Sequence, residues 1–192
     1  MRRGLTPSQT VGPFFHGGLL REGMNVLVRQ DTEGQRIRLE GYVYDGDRAP
    51  VADAMVEIWQ ANAFGRYRHP LDQRPVPLDP GFVGFGRAGT DDAGFFWFET
   101  IKPGPVPFRG GVMQAPHINV AVSARGLLDC LWTRLYFDDD PATATDPVLR
   151  LVPEARRGTL LARRQPGTVP PVYRFDIVLQ GDGETAFFVF EF

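Results

Sequence analysis

The stretch RIRLEGYVY at 36–44 alternates side chains without a break. Ile37, Leu39, Gly41 and Val43 fall on one parity, and Arg38, Glu40, Tyr42 and Tyr44 on the other. A period of two suits a half-buried β-strand and excludes a surface helix, whose apolar positions recur three and four apart. Further short runs rich in β-branched and aromatic residues occupy 55–60, 95–100, 117–124, 131–137, 173–179 and 185–191. Turn residues separate them, as in Asp45-Gly46, Asp91-Asp92-Ala93-Gly94 and Gly181-Asp182-Gly183. Many short strands with this punctuation predict an all-β chain, a sandwich or barrel with long loops and at most one or two short helices.

Two stretches depart from that rhythm. Residues 61–87 read as a loop, because Pro70, Pro75, Pro77 and Pro80 prevent regular structure over much of it. An ordered loop of that length usually builds a site or an interface. At 153–164, Pro153 fits the first turn of a short helix ending at Arg163-Arg164. The first thirty residues carry little periodicity and read as an arm lying on a neighbour or on the sandwich. No linker or repeat divides the chain, so residues 1–192 are expected to form one domain.

A net charge of -2 offers no electrostatic reason to bind nucleic acid or an anionic membrane. The single cysteine, Cys130, excludes an internal disulfide and fits a reducing compartment. The N-terminal segment lacks the continuous apolar stretch of a signal peptide, and no run has the length of a membrane span. These features predict a cytoplasmic protein.

The residues able to carry chemistry are few. His117 and Asn119 lie two apart in an apolar run, so a strand sends both side chains out of one face. Two histidines at that spacing would aim two imidazoles at one metal, whereas an amide is a poor ligand for a transition metal. Tyr67, His69 and His16 read as structural loop residues. Arg134 lies between Trp132 and Tyr136 on one face of its strand, and a cation there needs a partner. Either Asp138, Asp139 or Asp140 pairs with it, or an anion from a substrate or partner does. In the arm, Thr10, the Gly12-Pro13 bend and Phe14 can present backbone and ring edges to a ligand, or dock another subunit.

Taken together, the blocks TPSQTVGPFF, VEIWQANAFGRYRH, TDDAGFFWFETIKPGPVPFR, APHI, TRLYFDDDP and YRFDIVLQGDGETAFF resemble the intradiol ring-cleavage dioxygenases across most of the chain. Length and arm resemble the α-type subunits of the protocatechuate-cleaving branch. The resemblance implies a β-sandwich of mostly antiparallel strands paired with a homologous β-type subunit, the αβ pairs forming a larger oligomer. In that family the iron-carrying subunit holds Fe(III) with two tyrosines and two histidines. The first tyrosine falls on Tyr67 and the second on Val106, while the histidines fall on His117 and Asn119. An arginine that steadies the catecholate falls on Gln114.

The resemblance therefore implies no iron in this chain and Fe(III) in the β-type partner, with Tyr67 and His117 as vestiges. It further implies an active site at the αβ interface, walled in part by Thr10, Gly12, Pro13, Phe14 and Arg134 of this chain, where the family often has tyrosine at the Phe14 position. Arg134 would face the carboxylate that distinguishes protocatechuate from catechol. The implied reaction inserts both atoms of O2 into the ring, giving 3-carboxy-cis,cis-muconate. Two other readings remain: a self-sufficient intradiol dioxygenase with an unusual iron site, and a non-enzymatic sandwich used as a scaffold.

Overall fold

The structure, a computed structural model, describes residues 6–12 and 14–189. In chain order its strands are β1 (Arg36–Tyr44), β2 (Met55–Trp59), β3 (Phe85–Gly89), β4 (Phe95–Ile101), β5 (Val106–Pro107), β6 (Met113–Gln114), β7 (His117–Ser123), β8 (Leu131–Phe137), β9 (Leu161–Arg164), β10 (Val172–Arg174) and β11 (Ile177–Val178). The helices among the described residues are short, α1 (Phe15–Leu19) and α2 (Glu154–Arg157), with a few 3-10 turns.

The alternation in β1 is realised as predicted, with Ile37, Leu39 and Val43 fully buried and their neighbours partly exposed. On one side β1 pairs antiparallel with β4, Leu39 opposite Phe98 and Gly41 opposite Phe96. On the other it runs parallel to β10 and then β11. The sheet continues through β9, β8, β7 and β2 to β3, so one mixed sheet curls on itself. Its two ends share a single apolar core, in which Val56, Ile58, Val120 and Leu135 belong to the same cluster as Leu39, Phe96 and Phe98. The sandwich is thus two lobes of one sheet, mostly antiparallel, with parallel pairings where β8 meets β9 and β10 and β11 meet β1.

The arm closes the remaining gap. Its Met24 carbonyl accepts from the Arg87 amide on β3, while the Asn25 carbonyl and the Leu27 amide bond to Glu99 on β4. Leu27 enters the core. Residues 24–27 thereby link the outer edges of the two terminal strands.

Several expectations are corrected. Residues 61–87 are not loop throughout, since Phe85–Gly89 forms β3 against β2. The helix expected over 153–164 stops at Arg157, and Leu161–Arg164 is the strand that joins the two lobes. The run at 173–179 breaks at Phe175 and Asp176, where β10 gives way to β11. Of the strand expected at 185–191, the described part contributes only an isolated bridge between Phe188 and Trp132; residues 190 and 191 lie outside the described set. No helix among the described residues is long and apolar enough to cross a membrane.

Candidate functional site

The β7–β8 hairpin brings the candidate residues into register. His117 lies opposite Tyr136, and Asn119 opposite Arg134. Asn119 Oδ1 accepts from Arg134 Nε at 3.0 Å. Arg134 Nη1 donates to Gln114 Oε1 at 2.8 Å and approaches the Tyr136 hydroxyl at 3.5 Å. That hydroxyl donates to Asp146 Oδ1 at 2.8 Å. Buried Asp146 also accepts the amides of Ala115, Val148 and Leu149, so its charge is held by backbone donors. Gln114 is supplied by β6, whose short ladder sets Val106 directly across from it.

Tyr67 arrives on the 61–81 loop. Asn62 Oδ1 folds the start of that loop by accepting the amides of Phe64 and Arg66. Asp72 accepts the Tyr67 amide at 2.8 Å and is itself gripped by Arg74 through two contacts. The Arg74 guanidinium holds the Asp72 carboxyl down at about 2. The Tyr67 ring stacks on Trp59, centroids 5.7 Å apart and planes 19° from parallel. Its hydroxyl comes within 3.5 Å of His117 Nε2, and Asn119 Nδ2 donates to it at 3.4 Å.

His117 Nδ1 lies 2.7 Å from the Ala115 carbonyl, which can only accept, so Nδ1 carries the proton and Nε2 is bare. Burial, reinforced by the nearby Arg134 charge, lowers the His117 pKa to about 4. Burial also pushes the Tyr67 phenol upward, against the opposing pull of Arg134. Both side chains are therefore neutral near pH 7.

Tyr67, Val106, Gln114, His117 and Arg134 share the wall of one cavity of about 570 Å³. The positions that resemblance aligned with iron ligands do converge, but their chemistry does not suit a ferric ion. Val106 has no donor atom. The amide oxygen of Asn119 is engaged by a guanidinium. Of these four positions, only the Tyr67 phenol and the His117 imidazole offer a donor suited to the ion, two ligands where the family uses four. Of the two partners open to Arg134, the internal one is excluded among the described residues: Asp138, Asp139 and Asp140 meet Arg163, Lys102 and Arg164 instead. Among the described residues no carboxylate pairs with Arg134.

The arm residues stand elsewhere. Thr10 Oγ1 accepts from the Gly126 amide in the β7–β8 turn, and the Gly12 carbonyl accepts from Phe15. Phe14 is 88% exposed, and Pro13 lies outside the described residues. Within one chain Thr10, Gly12 and Phe14 line neither the cavity at Arg134 nor its neighbour. That neighbour, about 1000 Å³, opens on the outer face of the same sheet between Trp59, Phe85, Trp132, Arg134, Phe188 and Val189. His69 edges the smaller cavity, while His16 contacts the Asp53 carbonyl remotely. Sequence alone assigns no role to Trp59, Tyr136 or Asp146. Period-two parity placed Tyr136 beside Arg134, but nothing local marks Asp146.

Known proteins match this chain in sequence and in its curled sheet. The chain belongs to the intradiol dioxygenase family, with the family's dioxygenase pattern covering residues 11–181. It is a homologue of the protocatechuate 3,4-dioxygenase alpha chain of Pseudomonas putida, 45% identical over an alignment that covers 96% of each chain. The protocatechuate 3,4-dioxygenase beta chain of Burkholderia cepacia is 40% identical over 84% of this chain and 71% of its own. Among solved structures, the dioxygenase domain of a carbohydrate-binding fusion protein from Streptomyces sp. SirexAA-E superposes with a TM-score of 0.61 at 26% identity. That superposition covers 94% of this chain and 100% of the other.

Proposed function

We propose that this single-domain chain is the iron-free, α-type subunit of a cytoplasmic protocatechuate 3,4-dioxygenase. A homologous β-type subunit holds the Fe(III), and the αβ pairs build a larger oligomer. The observation that carries this reading is the donor set of the smaller cavity, which has kept Tyr67 and His117, lost donors at Val106, and tied Asn119 to an arginine. The likeness to both an alpha and a beta chain of the same enzyme supports two related subunits with different tasks.

In this reading the overall reaction adds both oxygens of O2 to protocatechuate and yields 3-carboxy-cis,cis-muconate. The partner's iron supplies the redox chemistry, and this chain binds, orients and dries. Arg134 is suited to the substrate carboxylate: half-buried, anchored through Nε and Nη1, and without an internal carboxylate among the described residues. The exposed Phe14 ring, with Thr10, Gly12 and Pro13, would reach the partner as part of the pocket wall. The apolar outer face of β2, β3, β7 and β8 offers the partner a docking surface.

Co-expression with its β-type partner tests the assignment. Protocatechuate-dependent oxygen uptake is expected from the complex and not from this chain alone. Activity or tightly held iron in the chain purified alone would overturn it.

A further inference from the structure

We propose that Arg134 is the resident cation of the smaller cavity, and that its guanidinium, cradled by Asn119 and Gln114, bars a metal ion there independently of the missing ligands. The inference rests on the iron-free reading and goes past it. Lost donors at 106 and 119 explain weak binding; a fixed positive charge weakens it further, by roughly tenfold.

The placement carries the argument. Arg134 Nε and Nη1 bond to the two side chains that border the retained pair, Asn119 at 3.0 Å and Gln114 at 2.8 Å. Asn119 is at the same time bonded to the Tyr67 hydroxyl. The guanidinium is therefore one residue away from the Tyr67 hydroxyl, which itself lies 3.5 Å from His117 Nε2. No described carboxylate neutralises it: Asp146 is reached only through the Tyr136 hydroxyl, and Asp72 in the cavity wall is taken by Arg74. A second cation held between the buried Tyr67 and His117 side chains would meet like-charge repulsion from Arg134.

The substitutions also interlock. Asn119 gives its oxygen to Arg134 and its nitrogen to Tyr67 and the Trp59 carbonyl. Gln114 gives its oxygen to Arg134 and its nitrogen to the Pro107 carbonyl. Both amides thus hold the arginine in place, and positions 114, 119 and 134 act as one unit whose mutational effects will not add.

The test restores the ligands with and without the cation. Full-length V106Y/N119H, V106Y/N119H/R134Q and V106Y/N119H/R134K are loaded with ferrous iron in air. Iron per chain is counted by elemental analysis, and the phenolate-to-iron band is read in the visible spectrum. The double variant and the lysine variant are expected to stay nearly iron-free, while the glutamine variant gains iron by roughly tenfold or more. In complex with the β-type partner, iron should rise from one to two per pair only for the glutamine variant. Equal uptake by the double and glutamine variants overturns the proposal. So does an empty glutamine variant that keeps its near-ultraviolet circular dichroism. As a check free of the larger substitutions, R134Q alone should bind Cu(II) roughly tenfold tighter than the unaltered chain, by Trp59 quenching lost in R134Q/H117Q; an unchanged affinity again counts against it. Iron in the unaltered chain would instead strike the proposed function.

Discussion

Asn119 and Arg134 face each other across β7 and β8, and the guanidinium Nε donates to the amide Oδ1 at 3.0 Å. The amide's other end donates to the Trp59 carbonyl at 3.2 Å and to the Tyr67 hydroxyl. Asn119 is thus a working connector between two strands and a loop. Asn119→Leu should cost about 2 kcal/mol, because partners on both sides lose their bonds in a partly buried place. Urea unfolding of the purified chain measures it, and a loss below a few tenths would deny the connector role.

Arg134→Ala in the assembled enzyme should raise KM for protocatechuate by roughly tenfold to a hundredfold, the worth of one charge-assisted hydrogen bond. In the proposed assembly the metal sits in the partner, so iron content should not change. Oxygen-uptake kinetics beside elemental analysis separate the two effects. An unaltered KM would return Arg134 to a purely structural role.

His117 makes stability depend on pH. Its ordinary value is 6.5 and its folded value about 4, so between those pH values the unfolded chain takes up a proton that the folded chain refuses. Stability should therefore fall as pH drops from 6.5 towards 4 and level off below, a loss of roughly 3 kcal/mol from this residue. Unfolding curves for wild type and His117→Gln across that range isolate the slope. Parallel curves would show that the imidazole titrates normally.

Gly41 belongs to the inward parity of β1 for a packing reason. A Cβ there would lie 1.8 Å from the carbonyl oxygen of Phe175, whose amide bonds to the neighbouring Glu40 carbonyl at 2.8 Å. The β10–β11 break thus presses its backbone onto β1 at the one position without a side chain. Gly41→Ala should cost about 3 kcal/mol, seen as a lowered melting temperature. A change of under half a kilocalorie would mean that the break can move aside.

What could be read from the chain was what local patterning controls. Strand β1 was legible to its last residue because its period-two burial is uninterrupted. The shared face of His117 and Asn119 was legible for the same reason, and both do meet Tyr67. Strand β3 was hidden because its sequence, FGRAG, obeys distant demands. Gly86 leaves room for Leu27 and the Met24 carbonyl, whose atoms would sit 2.5 and 2.9 Å from a Cβ, and Gly89 leaves room for Leu20. Strand β9 was hidden because Leu161-Ala162-Arg163-Arg164 lacks β-branched residues and owes its extended form to strands on both sides. Strand parity could not decide between an internal carboxylate and an outside anion for Arg134, because the chain turns after Phe137 and carries Asp138–Asp140 away to other cations. Resemblance aligned Tyr67, Val106, His117 and Asn119 with the family's ligands; only the folded chain reveals that the Asn119 and Gln114 amides hold Arg134 beside them.

The stitch made by residues 24–27 has a bearing on solubility. Two strand margins that would otherwise display unpaired amides and carbonyls are both occupied by the same short tether. Peel that tether away and each molecule acquires a pair of sticky borders able to recruit further copies. A shortened version starting after residue 28 would then leave solution as β-rich precipitate under conditions where the full chain stays dispersed.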